Sequence, residues 1–62
     1  LGEHMALLKV YDVTKNPQND LVSSQNIADV SDAIVIADEL VKREPAYLYK
    51  VFDSSMNVVY MR

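Results

Sequence analysis

Two apolar runs, residues 6–13 (ALLKVYDV) and 46–52 (AYLYKVF), each carry one lysine near the centre. Both are rich in β-branched and aromatic residues and contain no Gly or Pro, so both read as strands. Side chains alternate between the two faces of a strand. The first run therefore sorts into Ala6, Leu8 and Val10 against Leu7, Lys9, Tyr11 and Val13. The second sorts into Tyr47, Tyr49 and Val51 against Ala46, Leu48, Lys50 and Phe52. An ammonium buried without a partner is expensive, so the lysine-bearing faces must point away from whatever covers the sheet. Leu8, Val10, Tyr47, Tyr49 and Val51 are then expected in the core, with the tyrosine hydroxyls reaching its rim.

The covering element is expected between the two runs. Val30, Ala33, Ile34, Ala37, Leu40 and Val41 fall on one arc at about 100° per residue. Asp32, Asp38, Glu39, Lys42 and Arg43 occupy the other side, with Val35 alone among them and Ile36 flanking the apolar arc. Asp29 offers a capping oxygen to the first turn, and Asp32 adds negative charge at the positive end of the helix dipole. Lys42 and Arg43 suit the last turn, and Pro45 disfavours helical geometry at Glu44 and stops the run. An amphipathic helix beginning near Val30 is the result.

Around these elements, Asn16, Pro17, Gln18, Asn19 and Asp20 concentrate turn formers and mark a chain reversal. Residues 21–27 (LVSSQNI) either pair back on the first strand or lead irregularly to the helix, and the hairpin is the favoured reading. Residues 58–61 (VVYM) make a last strand, joined to the run ending at Phe52 by the turn-rich Asp53, Ser54, Ser55, Met56 and Asn57. The expected fold class is α+β: a small antiparallel or mixed sheet of three to four strands in β(β)αββ order, with one helix packed on one face. Residues 1–4 before Met5 read as the remnant of a cleaved tag, which leaves residues 5–62 as a single domain. No repeat, low-complexity tract or Ser/Gly-rich linker divides it.

Charge and composition exclude several function classes. The formal net charge is −3 over the full chain. Without Glu3 it becomes six basic against eight acidic residues, or −2, so the basic footprint that drives non-specific nucleic-acid binding is missing. Cysteine is absent, which removes disulfides, thiolate nucleophiles and sulfur-ligated metals together and suits a cytoplasmic protein. No apolar run approaches the roughly 20 residues of a membrane span.

Catalytic candidates each have a plainer role. His4, the one histidine, lies in the presumed remnant, so no native histidine base or metal ligand is expected. Asp29, Asp32, Asp38 and Glu39 cap or solvate the helix. The turn at residues 53–57 lacks the Gly and terminal Glu of a calcium loop. Ser23 and Ser24 have no Gly-rich elbow, and Gly2 is the one glycine of the chain, so no phosphate-cradling loop can form. No enzyme activity, cofactor or metal is expected.

What remains is the second sheet face. Leu7, Tyr11, Val13, Leu48 and Phe52 would form an apolar patch edged by Lys9 and Lys50, too apolar for routine exposure on a monomer if the strands are adjacent. The expected function is that of a small interaction module, self-associating through this face as a homodimer and binding another protein. The alternative is a single-stranded nucleic-acid binder in which Tyr11 and Phe52 stack bases while Lys9 and Lys50 meet phosphate.

Overall fold

A computed structural model of the chain describes residues 5–14 and 20–62. The presumed remnant at 1–4 and most of the expected reversal at 16–20 lie outside them. Five elements follow one another: β1 (Ala6–Asp12), β2 (Asp20–Ile27), α1 (Val30–Arg43), β3 (Tyr47–Phe52) and β4 (Val58–Met61). The strands form one sheet in the order β2-β1-β3-β4, every neighbouring pair antiparallel. The chain is thus α+β in ββαββ order, and residues 21–27 do form the second strand.

The helix starts where its cap dictates. Asp29 is extended and its carboxylate accepts from the backbone N–H of Ser31 at 3.0 Å and of Asp32 at 3.4 Å. Such a cap is worth about 1 kcal/mol. From there α1 crosses the sheet lengthwise, leaving the end where Ala6 pairs with Ile27 and returning the chain where Asp12 pairs with Tyr47. Ala33 and Ala37, one turn apart and fully buried, let its backbone approach the strands closely.

Under the helix, Leu8 pairs with Val51 and Val10 with Tyr49, and all four are buried along with Ala6. Ile27, Ile34, Leu40 and Tyr47 are partly buried at the margin. The lysines of β1 and β3 lie on the opposite face, as the alternation demands. The strands are slightly shorter than the apolar runs. Val13 enters the turn after β1, and Ala46 belongs to the turn at Pro45, where the Tyr47 N–H reaches the Glu44 carbonyl at 3.3 Å.

Tyr49 departs from the expectation that tyrosine hydroxyls reach the rim. It is only 1% exposed, and its hydroxyl donates to the Glu44 carbonyl at 2.8 Å, with the Leu40 carbonyl also within reach at 3.2 Å. Pro45 ends the helix without a glycine cap. A core side chain from β3 adds a second donor at the Glu44 carbonyl, which the Tyr47 N–H also approaches, while the Leu40 carbonyl accepts from the Glu44 N–H at 2.8 Å. Tyr60 reaches the helix as well: its hydroxyl donates to the Asp38 carboxylate, which Arg62 approaches at 3.4 Å.

The register also corrects the expectation of a chain without repeats. Leu7-Leu8-Lys9-Val10-Tyr11-Asp12 in β1 returns as Leu48-Tyr49-Lys50-Val51-Phe52-Asp53, which runs through β3 into the turn that follows it. The two copies pair antiparallel about their own midpoint: Leu7 opposite Phe52, Lys9 opposite Lys50, Tyr11 opposite Leu48. Each copy is the inner strand of a hairpin. Both hairpins slip register at the equivalent step, between Val10 and Tyr11 and between Val51 and Phe52. Both open their turn in the same way, Asp12 accepting from the Thr14 N–H at 3.0 Å and Asp53 from the Ser55 N–H at 2.9 Å. The two inner strands are therefore related by a local twofold axis between Lys9 and Lys50, each with an outer strand of its own and with α1 in the connection between the hairpins.

The second turn places Met56 at φ 66°, a left-handed conformation that β-carbon contacts penalise and that Asn tolerates better. Met56→Asn is expected to raise the unfolding free energy by roughly 0.5–1 kcal/mol in urea titrations. Tyr49→Phe is expected to lower it by about 1–2 kcal/mol, because the ring still packs but the helix loses its capping donor. An unchanged midpoint for Tyr49→Phe would remove the hydroxyl from the account of helix termination.

Candidate interaction surface

The face of the sheet away from α1 is open. Leu7, Lys9 and Tyr11 of β1 stand beside Leu48, Lys50 and Phe52 of β3, so six of the seven expected interface residues come together on adjacent strands. All six are half-buried. Val13, the seventh, is exposed in the turn past the end of β1. The outer strands extend the surface, because cross-strand partners share a face. Leu21 stands opposite Tyr11, Val58 opposite Phe52 and Met61 opposite Lys50, and these three are about half exposed. Sequence reading missed them because their strands carry bulges that shift the alternation.

At the centre, Lys9 and Lys50 are direct cross-strand partners, a like-charge pair that is unfavourable by itself. Each ammonium leans diagonally onto the aromatic ring of the other strand. The Lys9 nitrogen lies 5.6 Å from the Phe52 ring centre and the Lys50 nitrogen 5.4 Å from that of Tyr11. Contacts of this kind at an exposed site are worth about 0.5–1 kcal/mol each. The lysine stems also cover part of the apolar surface. The ion pairs seen among the described residues, Lys42 with Glu39 and Arg62 with Asp38, involve neither lysine.

The acidic groups sit elsewhere. Asp29 caps α1, Glu39 pairs with Lys42 at 3.6 Å, and Asp38 belongs to the Tyr60 and Arg62 cluster. Hydrogen bonding to Asp38 holds the Tyr60 hydroxyl above the usual tyrosine range. Burial does the same to Tyr49, helped by the nearby charge of Glu44. Neither phenol is poised to ionise near neutral pH. Among the described residues no group of three or more His, Cys, Asp or Glu side chains could hold a metal ion, and no helix is long and apolar enough to cross a membrane.

A cleft of about 260 Å³ opens at one end of the sheet between Met5, Leu7, Asn26 and Met56. Its ionisable member, Asp53, is committed to structure: its carboxylate accepts from the backbone N–H groups of Asn57 and Ser55, each at 2.9 Å. No second acid or base stands beside it in the lining to form a proton-transfer pair. Comparison with protein families, with characterised proteins and with solved structures finds no match.

The backbone donors of Asn57 and then Ser55 hold the Asp53 carboxyl below its ordinary range. The folded state thus favours the ionised form. Its stabilising contribution is present above the ordinary carboxylate range and is lost as pH falls through the lowered folded value. Asp53→Asn should flatten the acid side of the stability-against-pH curve measured by urea denaturation. An acid slope identical to that of the parent chain would show that the turn does not depend on this charge.

Proposed function

We propose that the chain is a non-enzymatic interaction module of the cytoplasm, which associates with itself through the open sheet face and takes up another protein there. The observation that carries this reading is the unequal treatment of the two faces. One is closed by α1, whereas the other leaves Leu7, Tyr11, Leu48 and Phe52 half-buried and continuous with exposed Leu21 and Val58. The closed side is thin: among the described residues seven are buried, three of them alanines. A core of this size rarely supplies more than about 3–5 kcal/mol, so a third layer on the open face would add stability as well as bury the patch. The lack of cysteine supports a reducing compartment. The structural employment of the carboxylates supports a binding rather than a catalytic role.

Single-stranded nucleic-acid binding through Tyr11, Phe52, Lys9 and Lys50 is the competing use of the same surface. It is the weaker reading, because each ring already carries a lysine ammonium that a stacking base would have to displace. The acidic net charge opposes it further.

Light scattering over a range of concentrations tests the proposal. The expected result is reversible association to twice the monomer mass of 7.0 kDa. Phe52→Asp should abolish it, weakening the dimer by about a hundredfold or more while leaving the helical circular dichroism intact. A chain that remains monomeric at every concentration would refute self-association. Tight, salt-sensitive binding of an oligonucleotide would instead favour the competing use.

A further inference from the structure

The charge on the open face is not suited to a copy of itself. Among the described side chains of the strands, Lys9 and Lys50 are the only charged ones that face away from α1. A second copy stacked there brings two more lysines to the same place, so four ammonium groups would meet in an interface that excludes water. That arrangement opposes association unless the copies slide apart or counterions enter. A surface of opposite charge gains where the second copy loses.

The symmetry of the inner strands sharpens the requirement. Lys9 lies over Phe52, whose cross-strand partner is Leu7; Lys50 lies over Tyr11, whose cross-strand partner is Leu48. Each set of three offers one aliphatic side chain, one aromatic ring and one ammonium, held by the ring without being neutralised. The local twofold axis makes the two sets equivalent in layout, and they differ only by the Tyr11 hydroxyl.

Resting on the reading of this face as a docking surface, we infer that it is a receptor with two equivalent half-sites. Its occupant from another chain presents two carboxylates among apolar side chains, one for each lysine. The second copy is the weaker occupant, held by apolar contact alone. Exchange of the one for the other follows from the difference in charge.

A charge-reversed form of the chain serves as the probe. Lys9→Glu combined with Lys50→Glu keeps the apolar frame and places two carboxylates in the twofold positions. At about 0.05 M salt the parent chain, fluorescently labelled, should bind this double variant at least about tenfold more tightly than it binds itself, and the gap should close near about 0.5 M salt. The single variants Lys9→Glu and Lys50→Glu should each recover part of the gain, equal within about twofold. Parent self-association as tight as the mixed pair would overturn the inference and leave the docking surface standing. If neither pair forms, the docking surface itself fails. Strong inequality between the single variants would overturn the equivalence of the half-sites. Circular dichroism checks the fold, and should the double variant fail to fold, Lys9→Gln with Lys50→Gln takes its place. Removing the charges must then tighten self-association by about tenfold or more at low salt, and unchanged association overturns the inference. A thymidine oligonucleotide that binds the parent chain and excludes the acidic variant would overturn the choice of a polypeptide occupant.

Discussion

The desolvation cost of two ammonium groups decides how this sheet is dressed. Lys9 and Lys50 stand at the middle of the two central strands, directly opposite one another. Side chains alternate with a period of two, so a slip of one residue in either strand would turn that strand's lysine under the helix and its apolar pair, Leu8 and Val10 or Tyr49 and Val51, out to solvent. The register of β1 against β3 is therefore tied to the choice of face. Placement of α1, the burial of Ala33 and Ala37 and the openness of the other side all follow from it.

Where local chemistry dominates, the chain could be read directly. Asp29 as the cap, Val30 as the first helical residue and Pro45 as the stop need only neighbouring residues to act. The apolar faces of β1 and β3 were legible for the same reason, since alternation is a property of one strand. Features that arise between strands were not. The hydroxyl of Tyr49 meets Glu44 across the strand-helix junction, and nothing in the tyrosine itself directs it inward. The diagonal seating of each lysine on the opposite strand's ring depends on register, and so do Leu21, Val58 and Met61, whose alternation is reset by bulges. The hexapeptide repeat escaped notice because it is short and carries two substitutions. Seeing the copies as equivalent required knowing that they pair with each other.

The pairing of two similar inner strands also explains how so few residues support a four-stranded sheet. Each unit supplies an inner strand with an apolar inward face and an outer strand that closes with a bulge. Pairing the inner strands about a twofold axis places their best-packed residues together under a single helix. The same operation doubles whatever the outward side chains present, so one Leu-Lys-aromatic unit becomes a surface with two matching halves. Function on this face, in the proposed reading, is the outward expression of the symmetry that assembles the core.

The linking helix has a consequence for the order of assembly. Each hairpin closes over a short stretch of chain and can form within microseconds of local search. Joining Lys9 to Lys50 requires the ends of a far longer segment to meet, and that closure carries the larger entropic cost. A 14-residue helix is about 21 Å long, close to the length of the strands it crosses, so its formation replaces a flexible connection with a strut of the required span. Closing the β1–β3 seam is therefore the most non-local pairing of the sheet, and the helix that spans it sets the distance over which the two hairpins must meet.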